Sequence, residues 1–297
     1  MLSRQPLQNY QVVSTGAKLN TYDSGLFGGL WRRGSTVETL QFWTFITSML
    51  FQIGTLISGL VALGQGGNPE VLTTVLWLEL IVQTVEVTWY SGVGYYYVVR
   101  KDRDVPVYWR YADWILTTPV MLISVLFFTL WESDKDCTTN DNLLNDGSRV
   151  GAVVAIVLAD WLMLSYGWAY EASRPSGIDG SSVRLAVLTK NFYNQYFACG
   201  MFNALWLGFI PFVGAFIPLF VIVGNAYSGW GMAAILITFF TWSLYGVVAL
   251  LGEYDHLGQQ ARNAAYNTLD IFSKNAVGIV IATVALNNDH VVDPYGC

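Results

Sequence analysis

Long apolar runs broken by short polar intervals divide the chain into seven segments, roughly 38–64, 71–98, 108–131, 149–170, 187–222, 229–252 and 262–287. The first breaks are Gln65-Gly66-Gly67-Asn68-Pro69, Arg100-Lys101-Asp102-Arg103-Asp104 and the acidic run 132–148. Ser173-Arg174-Pro175-Ser176-Gly177, Gly224-Asn225-Ala226-Tyr227-Ser228 and the polar stretch 253–261 supply the rest. Gly, Pro, Asn and Ser clusters of this kind punctuate regular elements. Residues 39–69 and 191–252 hold no Asp, Glu, Lys or Arg at all. A helix needs about 20 apolar residues to cross the hydrocarbon core, so the first stretch accommodates one crossing and the second two. Only helices and closed barrels satisfy their backbone in lipid, and runs of this length are helical. The pattern predicts an all-α fold, a seven-transmembrane-helix bundle over 38–287. A polar N-terminal extension (1–37) precedes it and a short tail (288–297) follows. The apolar patch at 26–31 is too short to span a membrane and is expected to cap or anchor the first helix. Nothing before Glu38 reads as a secretory signal.

Composition agrees. Hydrophobic residues make up 54% of the 297, aromatic residues 15% and charged residues only 12%, whereas soluble domains carry about 25% charged residues. The expected setting is a lipid bilayer, crossed several times. A net charge of −6 argues against nucleic acid as a partner. Cys137, Cys199 and Cys297 lack metal-ligand spacing and the chain has two histidines, so no metal site is expected.

The informative residues are the charges inside the apolar segments: Glu79, Glu86, Arg110, Asp113, Asp160, Asp270 and Lys274. Ionisable groups at membrane depth are costly and mark functional sites with a partner. Asp270 and Lys274 are four apart, on one face of the last helix. Arg110, Asp113 and Thr117 share a face of the third, and Ser124 continues nearly the same stripe three turns on. A lysine in mid-helix with aspartates available reads either as a buried ion pair that sets helix register or as a desolvated amine able to form a Schiff base with an aldehyde. Spacing alone leaves both open. Glu79 and Glu86 are seven apart on one face of the second helix, with Gln83 between. That polar stripe must face protein or water.

The run Arg110-Tyr111-Ala112-Asp113-Trp114-Ile115-Leu116-Thr117-Thr118-Pro119 resembles the third-helix signature of the microbial (type I) rhodopsins. Tyr266-Asn267-Thr268-Leu269-Asp270-Ile271-Phe272-Ser273-Lys274-Asn275 is similar to their seventh-helix retinal segment. Asp160-Trp161-Leu162-Met163 with Gly167 resembles the fourth helix, and Trp242-Ser243-Leu244-Tyr245 the sixth. The resemblance implies all-trans retinal on Lys274 as a protonated Schiff base, with Asp113 and Asp270 as counterions and Arg110 steadying them. Carboxylates beside an imine in an apolar site favour its charged form. Trp114, Thr117, Thr118, Met121, Met163, Gly167, Trp242, Tyr245 and Ser273 match pocket positions, Met121 being one associated with green absorption. Tyr90 and Asp160 match hydrogen-bonding supports. The chain departs from the family where Gly246 replaces a proline and Ala249 a second pocket tryptophan, which predicts a looser pocket at that end. Gly208-Phe209-Ile210-Pro211-Phe212 matches fifth-helix pocket positions, with Gly208 serving helix packing or opening a lateral window for a carotenoid.

The family's functional triad reads Asp113, Thr117, Ser124 here, similar to certain proton-pumping rhodopsins of giant viruses. Asp113 as proton acceptor implies a light-driven proton pump, a transporter and not an enzyme, and a homo-oligomer is expected. Serine supplies no proton at neutral pH, so reprotonation is expected through water or another group, slowly, and faster in acid or azide. Glu86 stands as a relay in a pump, while the Glu79/Glu86 stripe also resembles the pore glutamates of light-gated cation channels. A photosensor is the third alternative. Arg262 and Tyr254 stand near positions where a proton-releasing glutamate is expected, with Glu253 as a substitute. The resemblance implies an outside N-terminus and outward transport. The basic residues, concentrated on the N-terminal side with only Lys135 and Arg149 opposite, argue for the reverse by the positive-inside rule.

Overall fold

A computed structural model describes residues 35–98, 107–133, 147–173, 204–223, 229–253 and 256–287. Seven helices run through the described residues: α1 (Ser35–Gln65), α2 (Glu70–Val98), α3 (Arg110–Ser133), α4 (Gly147–Ser173), α5 (Ala204–Val223), α6 (Gly229–Glu253) and α7 (Gln259–Leu286). Six of these are long and apolar enough to cross a membrane, and α5 contributes a shorter apolar stretch, Leu205–Val221. The fold is that of an integral, multi-pass membrane protein. The patch at 26–31, the three cysteines, Tyr254, the tail beyond Asn287 and most of the loop cations lie outside the described residues, as does the start of the segment expected from 187.

Each helix packs against the next, and α7 closes the ring on α1, with α3 also touching α5 and α6. The polarity pattern is inverted relative to a soluble bundle. On α1, Trp43, Leu50 and Ile57 form an exposed apolar stripe, while Gln41, Ser48, Gln52 and Thr55 are buried. Lipid solvates the first face at no cost, whereas the polar side chains need partners inside the protein. Leu122, Val125, Leu126 and Phe128 of α3 pack centrally with Leu72 and Leu76 of α2, Ile235 of α6 and Ile281 of α7. Lipid tails are as apolar as these side chains, so close packing and interhelical hydrogen bonds hold the helices together.

Local chemistry sets the joints. Gly66 and Gly67 adopt φ of 68° and 77°, the left-handed region open to glycine, and turn α1 into α2. Asn68 Nδ2 donates to the Ala62 carbonyl at 3.1 Å to close that corner. At the far end of α3, the Glu132 carboxylate accepts from the backbone N–H groups of Trp230 and Gly231, capping the positive end of α6. Helix α7 is not uniform: Ile271–Asn275 forms a π-helical turn between α-helical Gln259–Asp270 and Ala276–Leu286. Lys274 sits within that wide turn.

Candidate functional site

Lys274 is buried in the middle of α7 and faces three carboxylates. Its Nζ lies 3.0 Å from Asp113 Oδ2 of α3 and 3.8 Å from Asp270 Oδ1, and it ion-pairs with Glu86 Oε1 of α2. The two aspartates are those expected from the motifs. Glu86, expected as a relay or pore residue, touches the lysine directly. Three carboxylates against the cations of Lys274 and Arg110 leave one formal negative charge in excess. Buried charge of this kind persists only where hydrogen bonds hold it.

Asp270 is the most constrained of the three. It accepts from Tyr90 Oη at 2.6 Å, from Tyr245 Oη at 2.5 Å and from Arg110 Nη1 at 2.9 Å. Ser48 of α1 donates to the Tyr90 hydroxyl at 3.0 Å, and Ser273 Oγ lies 3.0 Å from Tyr245 Oη. Arg110 also donates to Asn267 Oδ1 and to the Asn263 carbonyl, and its guanidinium rests over the rings of Trp89 and Tyr266 at 5.2 and 5.8 Å. Asp113 is held differently. Its Oδ2 takes the lysine, its Oδ1 has no hydrogen-bond partner among the described residues, and Thr117 Oγ1 donates to its backbone carbonyl at 3.2 Å.

A cavity extends from Lys274 between α3, α4, α5 and α6. Its wall includes the expected Trp114, Thr118, Met163, Gly167, Trp242 and Tyr245. Trp114 meets Tyr245 edge-on at 5.3 Å, and Tyr245 stacks on Tyr266 at 5.5 Å, so the lysine end has rigid aromatic walls. Thr118 Oγ1 donates to Asp160 Oδ2 at 2.7 Å, tying α3 to α4 beside the cavity. Met121 is buried in the central core and is not part of this wall. Tyr111, Leu164 and Tyr266 line the cavity too, although the motif comparison did not single them out.

Two glycines give the cavity its shape. A side chain on Gly246 would meet the Phe209 ring at 2.8 Å, so that ring occupies the space where the family's proline would stand. Gly246, Ala249 and Phe209 all line the cavity at the end expected to be looser. A side chain on Gly167 would meet the Tyr111 hydroxyl at 2.6 Å. Gly208 lines the same cavity, and a side chain there would meet Tyr166 of α4 at 3.5 Å.

Two pairs link helices away from the lysine. Ser124 Oγ of α3 donates to Glu79 Oε1 of α2 at 2.5 Å, both residues buried. Arg262 Nη1 of α7 bonds both oxygens of Glu171 at 2.6 and 2.8 Å. Glu171 lies one residue beyond the fourth predicted segment and Arg262 at the start of the seventh, so neither stands among the charges inside the segments.

The family model described as "Bacteriorhodopsin-like protein" matches residues 38–288. A curated bacteriorhodopsin of Haloterrigena sp. (strain arg-4) is 28% identical over 96 residues, 31% of this chain. That match spans 38% of the relative's own length. Among solved structures, the viral rhodopsin OLPVRII is similar with a TM-score of 0.62 and 20% identity, over 86% of this chain and 100% of that one. The proton pumping rhodopsin AR2 from the marine alga Acetabularia acetabulum is similar with a TM-score of 0.55 and 15% identity, over 87% and 97% of the two chains.

Proposed function

The chain belongs to the bacteriorhodopsin-like family of microbial rhodopsins, and from that premise we propose that it is a light-driven proton pump carrying retinal on Lys274. The family consists of retinal-binding membrane proteins, mostly ion pumps, channels and sensors. The observation that carries the proposal is the 3.0 Å contact between Lys274 Nζ and Asp113 Oδ2, a proton-bearing nitrogen against a carboxylate with lone pairs to spare.

The residues fit the cofactor. An aromatic cavity closed at one end by a buried primary amine suits an apolar aldehyde that condenses with that amine. All-trans retinal, bound there as a protonated Schiff base, supplies a light-driven isomerisation that changes the surroundings of Lys274 Nζ. Asp113 is then the acceptor, because its Oδ1 is not engaged by any described donor. Asp270 has both oxygens taken by Tyr90, Tyr245 and Arg110, and acts as a fixed negative charge. Glu86 adds a second one. Three carboxylates around the nitrogen repel an anion, so the charge distribution favours protons over halide as cargo. With the N-terminus outside the cell, transport is outward.

Light-induced pH change in an unbuffered suspension of retinal-supplied cells tests the proposal. Acidification abolished by an uncoupler is expected. Uncoupler-sensitive alkalinisation would reverse the orientation, and no change from a coloured protein would refute pumping.

A second reading has its own observation. Gln52 of α1 donates to Glu86 at 3.3 Å, and Gln83 and Glu79 continue that buried polar seam between α1, α2 and α7. Such a seam suits a light-gated cation conductance. Photocurrent at zero voltage and without a gradient separates the two, since only a pump supplies it.

A further inference from the structure

We infer that Glu79, held by Ser124, is the internal proton donor that returns a proton to Lys274 Nζ. The inference rests on the pump reading and deepens it.

The third-helix motif carries a serine where a donor acid is expected, and a hydroxyl cannot release a proton at neutral pH. The structure puts a carboxyl group at the same place from a different helix. Ser124 Oγ donates to Glu79 Oε1 at 2.5 Å, and no Lys, Arg or His pairs with Glu79 among the described residues. An ionised carboxylate buried without a cation is expensive at membrane depth. Carrying a proton removes that cost, and a donor must carry one at rest.

Location supports the role. Asp270 and Arg110 lie on one side of Lys274, and Glu79 lies on the other. Gly278, one helical turn beyond Lys274 on α7, leaves the space that Glu79 occupies. A side chain there would meet Thr55 at 2.8 Å, Glu79 Oε2 at 3.2 Å and Gln83 Nε2 at 3.4 Å. Along α2, Glu79, Gln83 and Glu86 follow one face, and Glu86 ion-pairs with Lys274. Glu79 Oε2 and both amide atoms of Gln83 are buried without a hydrogen-bond partner among the described residues. Buried polar atoms find partners, and bridging water is the usual one. Gln83 is therefore the relay position between donor and lysine. Asp160 is also buried and acidic, but it is bonded to Thr118 on the α4 side of α3, off this line.

The proton balance is simple. Glu79 loses its carboxyl proton to Lys274 Nζ, becomes a carboxylate stabilised by Ser124, and regains a proton from the aqueous phase on its own side.

The test uses the full chain with retinal in lipid nanodiscs, and the retinal-free chain as a second sample. In the first, Glu79→Gln is expected to slow the return of resting absorbance after a flash by about a hundredfold. The slowed rate should become proportional to bulk proton concentration, and azide should restore it. In the second, infrared spectra at neutral pH should show a protonated-carboxyl band that Glu79→Gln removes and Ser124→Ala shifts. Should Glu79→Gln fail to fold, Ser124→Ala alone decides, an unshifted band with unchanged recovery overturning the assignment. Parent-like recovery in Glu79→Gln, with the parent still pumping, would overturn the donor role and leave the pump reading intact. A parent that moves no protons would overturn both.

Discussion

Asp113 Oδ2 and Lys274 Nζ, 161 residues apart in sequence, lie 3.0 Å apart in a site closed to solvent. The contact joins the third and seventh helices and, on the function proposed above, sets the proton acceptor against the nitrogen that would hold retinal. Asp113→Asn keeps the shape and removes the charge. It is expected to abolish the light-induced pH change and to move the resting absorption to longer wavelength, because the positive charge near Nζ is no longer held in place by a facing carboxylate. A visible spectrum and a pH electrode measure both. Lys274→Ala should give a colourless protein.

Glu86 predicts an acid dependence with a definite sign. It faces the same nitrogen as Asp113, and protonating either carboxylate removes negative charge beside Nζ. Acidification should shift the absorption to longer wavelength, and raising the pH should reverse the shift. Glu86→Gln should resemble the acid form at neutral pH and simplify the titration. A spectrophotometric titration in which Glu86→Gln follows the parent curve would remove Glu86 from the counterion set.

The Arg262–Glu171 pair predicts an effect on stability. Both side chains are nearly fully buried, and a single guanidinium nitrogen bonds both carboxylate oxygens. Removing one partner strands the other, which costs about 3–5 kcal/mol for buried pairs. Glu171→Ala should therefore lower the thermal midpoint of the coloured protein with little effect on its absorption maximum. The double variant Glu171→Leu/Arg262→Met should recover much of the loss, since no charge is left unpaired. Thermal bleaching curves of the three variants check this.

Thr118→Val tests the tie between α3 and α4. Thr118 is the described hydrogen-bond partner of Asp160 Oδ2, and Asp160 Oδ1 has none. The substitution leaves a buried carboxyl group unsatisfied, worth about 1–3 kcal/mol. Thr118→Ser should retain the parent midpoint more closely, because it keeps the hydroxyl.

Much of this protein was legible without coordinates. The charge-free stretches announced membrane crossings, and Asp270 and Lys274 at i and i+4 announced one face of one helix. Arg110, Asp113 and Thr117 did the same on another. These readings succeed because spacing within a helix is local geometry, fixed by the backbone repeat. Within α7, the π-helical turn at Ile271–Asn275 escaped this reasoning, since no residue type in that run announces it.

Which faces meet was decided only by the tertiary structure. The spacing of Glu79 and Glu86 did not say what Glu86 touches, and the packing of α2 against α7 turns it onto Lys274. Ser124 stands where a donor acid is expected, and the packing of α2 beside α3 brings the carboxyl group of Glu79 against it. Glu171 lies one residue past the fourth predicted segment and Arg262 at the start of the seventh, and the structure buries them as a pair. The sequence by itself determined the helices and which residues share each helix's inner stripe. Rotation and height of one helix against another are set by side-chain packing across all their interfaces at once, and contacts between helices become definite only when that packing is complete.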